Sequence, residues 1–353
     1  MTVKSRTLLI LVAVLVGLVG LCFALSPQSS DDGKAHVFML DIGQGDSFLV
    51  VAPDHKKLLI DGGRDTTVLS ELSKVLAPGD NTIDVMIATH PDADHIGGLQ
   101  YVLDRYHVGL FLTSEVQTDT KTFTALYKEL LKEHVTSYYA RRGMIITLDS
   151  VHKTTFTILF PDRDTTNWIT NPASVVGRLD VYADTNQNEY TSNLSPFGVP
   201  PAIKSESSSL LSNNEETSGI GGTKKVPGTV SNNLTTNSEK PSGVRGMRSM
   251  LFTGDSTSSV EHFLVGADPQ DLRADVLKLG HHGSKYSSST EYLTAVHPVL
   301  GLISAGINNR YGHPNIDTLA RLKSLGIPWI STQQKSTVEL TTDGAHQWTW
   351  KSI

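Results

Sequence analysis

The sequence has a single cysteine, Cys22, among its 353 residues. A disulfide within the chain is therefore excluded, and a metal site in the folded part cannot use thiolate ligands. Basic residues are not in excess either, since 30 Lys and Arg stand against 36 Asp and Glu, for a formal net charge of −6. This balance argues against a nucleic-acid binder that relies on overall charge, although it leaves room for a local basic patch.

One stretch of the chain also lacks a regular hydrophobic pattern. Between about residues 162 and 247, hydrophobic periodicity fades and Ser, Thr, Asn, Gly and Pro dominate. Such a composition is typical of a flexible, surface-exposed insertion. We therefore predict one domain over residues 31–353, interrupted by this low-complexity insertion.

The one long apolar run lies at the N-terminus. Lys4 and Arg6 precede an unbroken apolar stretch from Leu8 to Leu25. A positive end followed by such a run is typical of a signal peptide or of a membrane anchor. We expect residues 1–30 to have one of these roles and the rest of the chain to be extracytoplasmic, either membrane-anchored or secreted. The alternative is a buried core helix.

Four potential metal ligands, His90, Asp92, Asp94 and His95, lie within six residues, directly after the apolar run Ile83–Ala88 that predicts a buried strand. Imidazole and carboxylate donors without thiolate suit Zn or Mn, and Fe less well. Four donors are too many for one ion in a short loop, so they favour two adjacent ions, as in hydrolysis of phosphate esters. The alternative is a polar loop in which Asp94 caps the following helix.

Potential metal ligands also follow other predicted strands, since Asp or His comes after several further short apolar runs. These positions are Asp61, Asp255, the pair His281 and His282, and, on a longer loop, His313. Strands of α/β proteins often end in functional loops, and strand ends on one edge of a sheet converge. The sequence therefore predicts an α/β fold in which these side chains meet.

Together these motifs resemble those of the metallo-β-lactamase fold hydrolases. The likeness is carried by His90-x-Asp92-x-Asp94-His95, Asp61-Gly62-Gly63, Thr253-Gly254-Asp255 and His281-His282-Gly283-Ser284. Two further motifs, Asp41-Ile42-Gly43-Gln44-Gly45-Asp46-Ser47 and Tyr311-Gly312-His313-Pro314, are similar to the extracellular nuclease-like domain of ComEC-type competence proteins. The likeness covers about residues 36–106 and 250–353, and the middle insertion has no counterpart.

This resemblance implies an αββα four-layer sandwich with two divalent metal ions between its sheets. His90 and Asp92 would hold one ion, Asp94 and His95 the other, and Asp255 would bridge both. One of His281 and His282 would complete the first site, with His282 preferred, and His313 would complete the second. Asp61 and Asp41 would act as supporting residues behind the ligands.

The remaining expectations concern catalysis. Asp94 and His281 are the candidate catalytic residues, with His281 facing the substrate or donating a proton. Ser284, Lys285, Asn309 and Arg310 lie beside the ligand motifs and could hold phosphate oxygens. For Lys285 and Arg310, ordinary surface charge is an equal alternative.

The leading hypothesis is an exported or membrane-anchored phosphodiesterase, a nuclease acting on extracellular DNA in uptake or degradation. One alternative is a phosphoesterase for a cell-envelope substrate such as a polymer decorated with choline phosphate. Another is a non-catalytic surface binding module, whose mark would be missing ligands, and the seven predicted ligands are all present. No protein partner is inferable, and a channel for DNA would need more membrane segments than this chain has.

Overall fold

The structure is a computed structural model that describes residues 32–149, 151, 154–183 and 246–353, together with residues 12 and 14. Apart from residues 12 and 14, the predicted signal or anchor segment lies outside the described residues, and so does most of the predicted insertion. No helix within the described ranges is long and apolar enough to cross a membrane.

Two β-sheets form the centre of the described part of the chain. The first has eight strands in the order β15-β14-β1-β2-β3-β4-β5-β6, and the second has seven in the order β13-β12-β11-β10-β9-β8-β7. The first sheet contains β1 (Ala35–Met39), β2 (Phe48–Val51), β3 (Lys57–Ile60), β4 (Thr82–Ala88), β5 (His107–Thr113), β6 (Thr136–Tyr139), β14 (Val338–Thr342) and β15 (Thr349–Ser352). The second contains β7 (Ile145–Asp149), β8 (Thr154–Phe160), β9 (Val176–Tyr182), β10 (Met247–Phe252), β11 (Val276–Lys278), β12 (Leu300–Ile303) and β13 (Trp329–Ser331).

Helices cover the outer face of each sheet. Those of the first half are α1 (Thr67–Val75), α2 (Ala93–Ile96), α3 (Leu99–Arg105) and α4 (Lys121–Lys132). Those of the second half are α5 (Ser258–Ala267), α6 (Thr290–Val296), α7 (Ile316–Ser324) and α8 (Thr332–Lys335). Gly97 and Gly98 separate the short helix α2 from α3.

Three clusters of buried hydrophobic residues show how the sheets and helices are stacked in layers. Alternate residues of a strand point to opposite faces of its sheet. In β4, Val85 and Ile87 face the cluster between the two sheets, whereas Met86 and Ala88 face α1, α3 and α4. A third cluster joins the second sheet to α5, α6 and α7. The order of layers is thus helix, sheet, sheet, helix, as predicted.

The direction of the central strands positions the site. Strands β3, β4, β5 and β6 are parallel, and so are β10, β11, β12 and β13. Their carboxyl ends therefore share one edge of each sheet, where loops can bring polar groups together. The residues that follow β3, β4, β10 and β11 at this edge include Asp61, His90, Asp255 and His281.

The predicted start of the insertion at residue 162 was wrong. Strand β9 lies in the interior of the second sheet, antiparallel to both β8 and β10. Its buried residues Leu179 and Val181 belong to the cluster between the two sheets, and Val176 belongs to the cluster between the second sheet and its helices. The polar residues around this strand dilute its apolar signal, so composition alone did not reveal it.

Candidate metal centre

The loop after β4 supplies the first donors. His90 and His95 are completely buried, while Asp92 and Asp94 are partly exposed. Asp94, the predicted cap in the alternative interpretation, lies within α2, and Asp92, the residue before α2, makes no capping hydrogen bond to the helix. The alternative of a loop that merely caps a helix is therefore not what the structure presents.

Asp255 lies at the centre of the converging groups, and three histidines point an Nε2 atom at its carboxylate. The distances are 3.4 Å from His95 Nε2 to Oδ1 and 3.5 Å from both His281 Nε2 and His282 Nε2 to Oδ2. His90 Nε2 lies 4.0 Å from the same Oδ2. The loops after β4, β10 and β11 thus meet at one carboxylate.

Several atoms of this cluster are buried but have no hydrogen-bond partner. They are the Nε2 atoms of His90, His95 and His282 and the Oδ1 atom of Asp255. Buried polar atoms are normally paired, and converging imidazole and carboxylate donors are the usual partners of a divalent cation. In the described part of the chain, donor atoms of His90, His95 and Asp255, and also of Asp94, His95 and His282, lie within 4.8 Å of one another. These residues fit a metal centre.

Hydrogen bonds on the far side of two rings fix which nitrogen faces the cluster. His95 Nδ1 donates to Asp61 Oδ2 at 2.8 Å, and His282 Nδ1 donates to the carbonyl oxygen of Ser304 at 3.0 Å. In each ring Nε2 is left free to bind a cation. Asp61 is held in turn by the backbone N–H and hydroxyl of Thr89 at 2.8 and 2.7 Å, so it fixes the ring of His95 from the side away from the cluster.

Opposite charges in the cluster shift one another's protonation. Burial alone would raise the pKa of Asp255, but His282 and His95 hold it well below its usual range. Burial alone would lower the pKa of His282, but Asp255 and Asp46 raise it to about 9. The pKa of His95 is raised well above its ordinary value by Asp255 and Asp61 against the effect of burial. The metal-free cluster therefore carries protons that a cation would displace.

The grouping of donors differs from the predicted pairing. His282 was expected beside His90 and Asp92, but its Nε2 atom lies 3.7 Å from Asp94 Oδ2 and in one group with Asp94 and His95. Asp92 instead lies beside His90, with 3.6 Å between Oδ2 and Nε2. The contact between the loop after β11 and the loop after β4 brings His282 beside Asp94, a tertiary arrangement that spacing cannot reveal.

His281 and His313 lie at the rim of the cluster. Their ring centroids are 5.4 Å apart, and His313 is 6.4 Å from the ring of His282. Burial and the neighbouring His281 and His282 lower the pKa of His313 to about 4, so its ring is neutral at pH 7. Burial also lowers the pKa of His281. His313 was predicted as a ligand, yet it is absent from the close donor groups found among the described residues.

The candidate substrate-binding residues divide into two kinds. Lys285 and Arg310 have exposed side chains that lie against Tyr286 and Tyr311, with cation-to-ring distances of 5.0 and 4.9 Å. Asn309 instead shapes the loop of His313. Its amide donates to the carbonyl oxygens of Gly306 and His313 at 2.9 and 2.6 Å and accepts from two backbone N–H groups.

Ser284 is buried, and its hydroxyl accepts from the backbone N–H of Tyr286 at 3.3 Å. Asn309 and Ser284 therefore organise the loops, because their polar atoms are used within them. Asp41 lies at the start of its loop, where its carboxylate accepts a hydrogen bond of 3.5 Å from Gly43 N. Asp46, at the end of that loop, is the carboxylate that reaches the histidines, with Oδ1 3.3 Å from His282 Nδ1.

Some residues that contact the cluster were not predicted from the sequence. Asn171 Nδ2 lies 3.3 Å from His281 Nδ1, and the Thr170 hydroxyl donates to Asn171 Oδ1 at 3.1 Å. Burial would raise the pKa of Asp92, but His90 and, to a smaller extent, Thr170 lower it. Thr170 and Asn171 both precede β9, in the stretch assigned to the insertion. Lys278 was missed as well, although a lysine between Leu277 and Leu279 in an apolar strand is a visible signal.

Comparisons with known proteins agree with this geometry. The family model described as Metallo-beta-lactamase superfamily matches residues 40–182. ComE operon protein 3 of Bacillus subtilis is 27% identical over 330 residues, which are 89% of this chain and 33% of that protein. Competence protein ComA of Neisseria gonorrhoeae is 40% identical over 87 residues, which are 25% of this chain and 13% of that protein. The predicted resemblance is confirmed.

Among solved structures, the metallo-beta-lactamase fold protein YhfI from Bacillus subtilis superposes with a TM-score of 0.43 and 12% identity, covering 84% of this chain and 96% of that one. The chain spans no more than a third of the length of the two curated relatives named above. Residues 40–182 are thus similar to the metallo-β-lactamase superfamily, and the described residues combine two sheets with converging His and Asp donors.

Proposed function

We propose that this chain, whose metallo-β-lactamase domain is related to the ComEC-type competence proteins, is a phosphodiesterase that holds two divalent cations and cleaves DNA. The observation that carries the proposal is the convergence of three unpaired imidazole nitrogens on the Asp255 carboxylate. The donor set of nitrogen and oxygen without sulfur favours Zn²⁺ or Mn²⁺.

The distances suggest how the donors divide. His90 and Asp92 would hold one cation, and Asp94, His95 and His282 the other, with Asp255 shared between them. When bound, such a pair of cations supplies a deprotonated water as nucleophile and stabilises charge on the phosphate.

The protein side chains would orient the substrate and move protons. Burial would raise the pKa of Asp94, but His282 and His95 lower it, so this carboxylate stays ionised. His281 is less buried than His282, and burial lowers its pKa, so its imidazole is neutral near pH 7. It would take up the proton that the nucleophilic water releases and donate it to the leaving oxygen. Asn171 lies close enough to steady that ring.

Two observations support DNA as the substrate. The related Neisseria protein is described as a competence protein. In addition, the exposed side chains of Lys285 and Arg310 flank the loops of His282 and His313 and offer cations for a phosphate backbone despite the acidic net charge.

The location is part of the same proposal. The apolar run from Leu8 to Leu25, with Lys4 and Arg6 before it, supports export or anchoring of the domain outside the cytoplasmic membrane. Protease treatment of intact cells would test this, since an extracytoplasmic domain is digested and a cytoplasmic one is protected.

The decisive experiment follows cleavage of single-stranded DNA, duplex DNA and a small phosphodiester by the full chain, stripped of metal and reloaded with Mn²⁺ or Zn²⁺. We expect metal-dependent cleavage of DNA and inhibition of small-diester hydrolysis by excess DNA. The variant Asp255→Ala should abolish both activities, because it removes the carboxylate on which the donors converge.

Hydrolysis of the small diester without DNA cleavage would instead favour the cell-envelope phosphoesterase. Tight metal binding without hydrolysis of any phosphodiester would contradict the proposed reaction.

A further inference from the structure

A buried lysine lies directly beneath the metal centre. Lys278, the last residue of β11, is 1% exposed although lysine side chains normally reach solvent. Its ammonium group contacts the carboxylate of Asp46, which is itself 2% exposed. Neither residue is among the donors assigned to the cations above. Asp46 does lie in close groups with Asp255 and His282 and with Asp61 and His95, and its Oδ1 atom is buried without a hydrogen-bond partner, so the pair needs an explanation of its own.

Each member of this pair reaches a different donor. Lys278 Nζ donates to the carbonyl oxygen of Gly254 at 2.7 Å and lies 3.7 Å from Asp255 Oδ1. Asp46 Oδ1 lies 3.3 Å from His282 Nδ1. Lys278 thus holds the backbone and carboxylate of the central aspartate, while Asp46 lies behind the ring of His282.

The backbone of Asp46 ties in the remaining loops. Its N–H donates to the carbonyl oxygen of Asp94 at 3.3 Å, and its carbonyl oxygen accepts from Gly63 N at 2.9 Å. At the preceding residue, a Cβ on Gly45 would lie 2.0 Å from the carbonyl oxygen of Asp94, so this loop packs directly against the ligand loop. The Asp46 side chain is therefore fixed in position relative to the donors.

We propose that Lys278 and Asp46 form a permanent internal ion pair that positions Asp255 and His282 for cation binding. The inference rests on the proposed metal-dependent function, and both are positioning residues because they act through the donors. The pair also balances charge. The cluster gathers the carboxylates of Asp46, Asp61, Asp92, Asp94 and Asp255, and Lys278 supplies a fixed positive charge among them.

Physical chemistry predicts how the pair responds to substitution. Removing one member leaves a buried charge without its partner, whereas removing both leaves none. Stability should thus fall in either single variant and recover in the double variant. Groups that orient ligands typically change metal affinity by roughly 10–100-fold when they are removed. If the pair positions the donors, this loss persists in the double variant even though its stability has recovered.

The test compares the wild-type full chain with Lys278→Met, Asp46→Asn and the double variant. Calorimetric titration with Zn²⁺ gives affinity and stoichiometry, and thermal unfolding of the metal-stripped proteins gives stability. The absorption spectrum of the Co²⁺-loaded proteins reports the arrangement of the ligands. We expect both single variants to unfold at lower temperature, the double variant to recover, and all three to bind Zn²⁺ roughly 10–100-fold more weakly with an altered Co²⁺ spectrum.

The matched control is Lys57→Met. Lys57 is also buried and paired, with its Nζ 3.0 Å from Asp80 Oδ2, but it lies at the start of β3, away from the edge that carries the donors. This variant should lose stability and keep the Zn²⁺ affinity and Co²⁺ spectrum of the wild type.

A double variant with wild-type Zn²⁺ affinity and Co²⁺ spectrum would overturn the inference and leave the pair a structural element of the core. Should the double variant unfold, Asp46→Asn, which keeps the shape of the side chain, decides by the same two readouts. Because none of these measurements uses turnover, they remain informative if the wild type binds cations but cleaves no phosphodiester. That result would count against the proposed reaction and not against the pair.

Discussion

The substitution Asp61→Asn tests the hydrogen bonds that orient His95. The Asp61 side chain is completely buried and accepts from Thr89 N at 2.8 Å, Thr89 Oγ1 at 2.7 Å and His95 Nδ1 at 2.8 Å. Its φ of 58° is left-handed, a region that asparagine also adopts readily. Any effect of this substitution would therefore come from the side chain.

An amide cannot satisfy the same donors. If its oxygen replaces Oδ1 and accepts from Thr89 N–H, its NH₂ group faces the Nδ1–H of His95. The reverse orientation places NH₂ against Thr89 N–H. In either case one buried donor loses its acceptor, which costs about 1–3 kcal/mol. When His95 loses its partner, Nε2 is no longer fixed as the free nitrogen, and we expect metal affinity to fall by roughly 10–100-fold.

Thermal unfolding of the metal-stripped protein and calorimetric titration with Zn²⁺ measure the two effects separately. A suitable control is Asp65→Asn, since exposed Asp65 also accepts from a threonine, Thr67, at 2.9 Å from N and 2.6 Å from Oγ1. Surface substitutions of this kind change stability by less than about 0.5 kcal/mol. Wild-type Zn²⁺ affinity in Asp61→Asn would refute the reasoning.

Three further predictions follow from the same geometry. Burial is outweighed by Asp255 and Asp46, so the pKa of His282 is about 9, and the pKa of His95 is also raised. Metal binding near neutral pH must therefore displace protons, and affinity should rise with pH by about tenfold per unit, or ~1.4 kcal/mol, for each proton displaced. Calorimetry in buffers of different ionisation enthalpy would count these protons, and a flat profile would contradict the assignment. Gly45→Ala should abolish metal binding, because the new Cβ would lie 2.0 Å from Asp94 O. Gly43→Ala in the same loop shares the strain of a positive φ (76°) but meets no atom within 4 Å, so it should lose stability and keep its metal affinity. His281→Ala should bind Zn²⁺ normally but turn over roughly 10²–10⁴-fold more slowly, and a loss of binding would make His281 a ligand instead.

The amino-acid sequence was sufficient for the elements with strong local signals. The apolar run from Ile83 to Ala88 predicted the buried strand β4, and the His and Asp residues that follow it identified the chemistry of the centre. The repeated appearance of Asp or His after short strands predicted their convergence. That expectation succeeded because the strands concerned are parallel within each sheet, which places their carboxyl ends at one edge.

The tertiary structure alone decided which donors share a neighbourhood. His282 lies beside Asp94, and Lys278 lies beneath Asp255 in contact with Asp46, through contacts between loops from different sheets. Strand β9 was likewise recognisable only between its neighbours. Spacing and periodicity report which face of a helix or strand a residue occupies, because they reflect local backbone geometry. Distances between separate loops depend on how the two sheets pack. The sequence therefore predicted which residue types form the centre but not which donors lie next to one another.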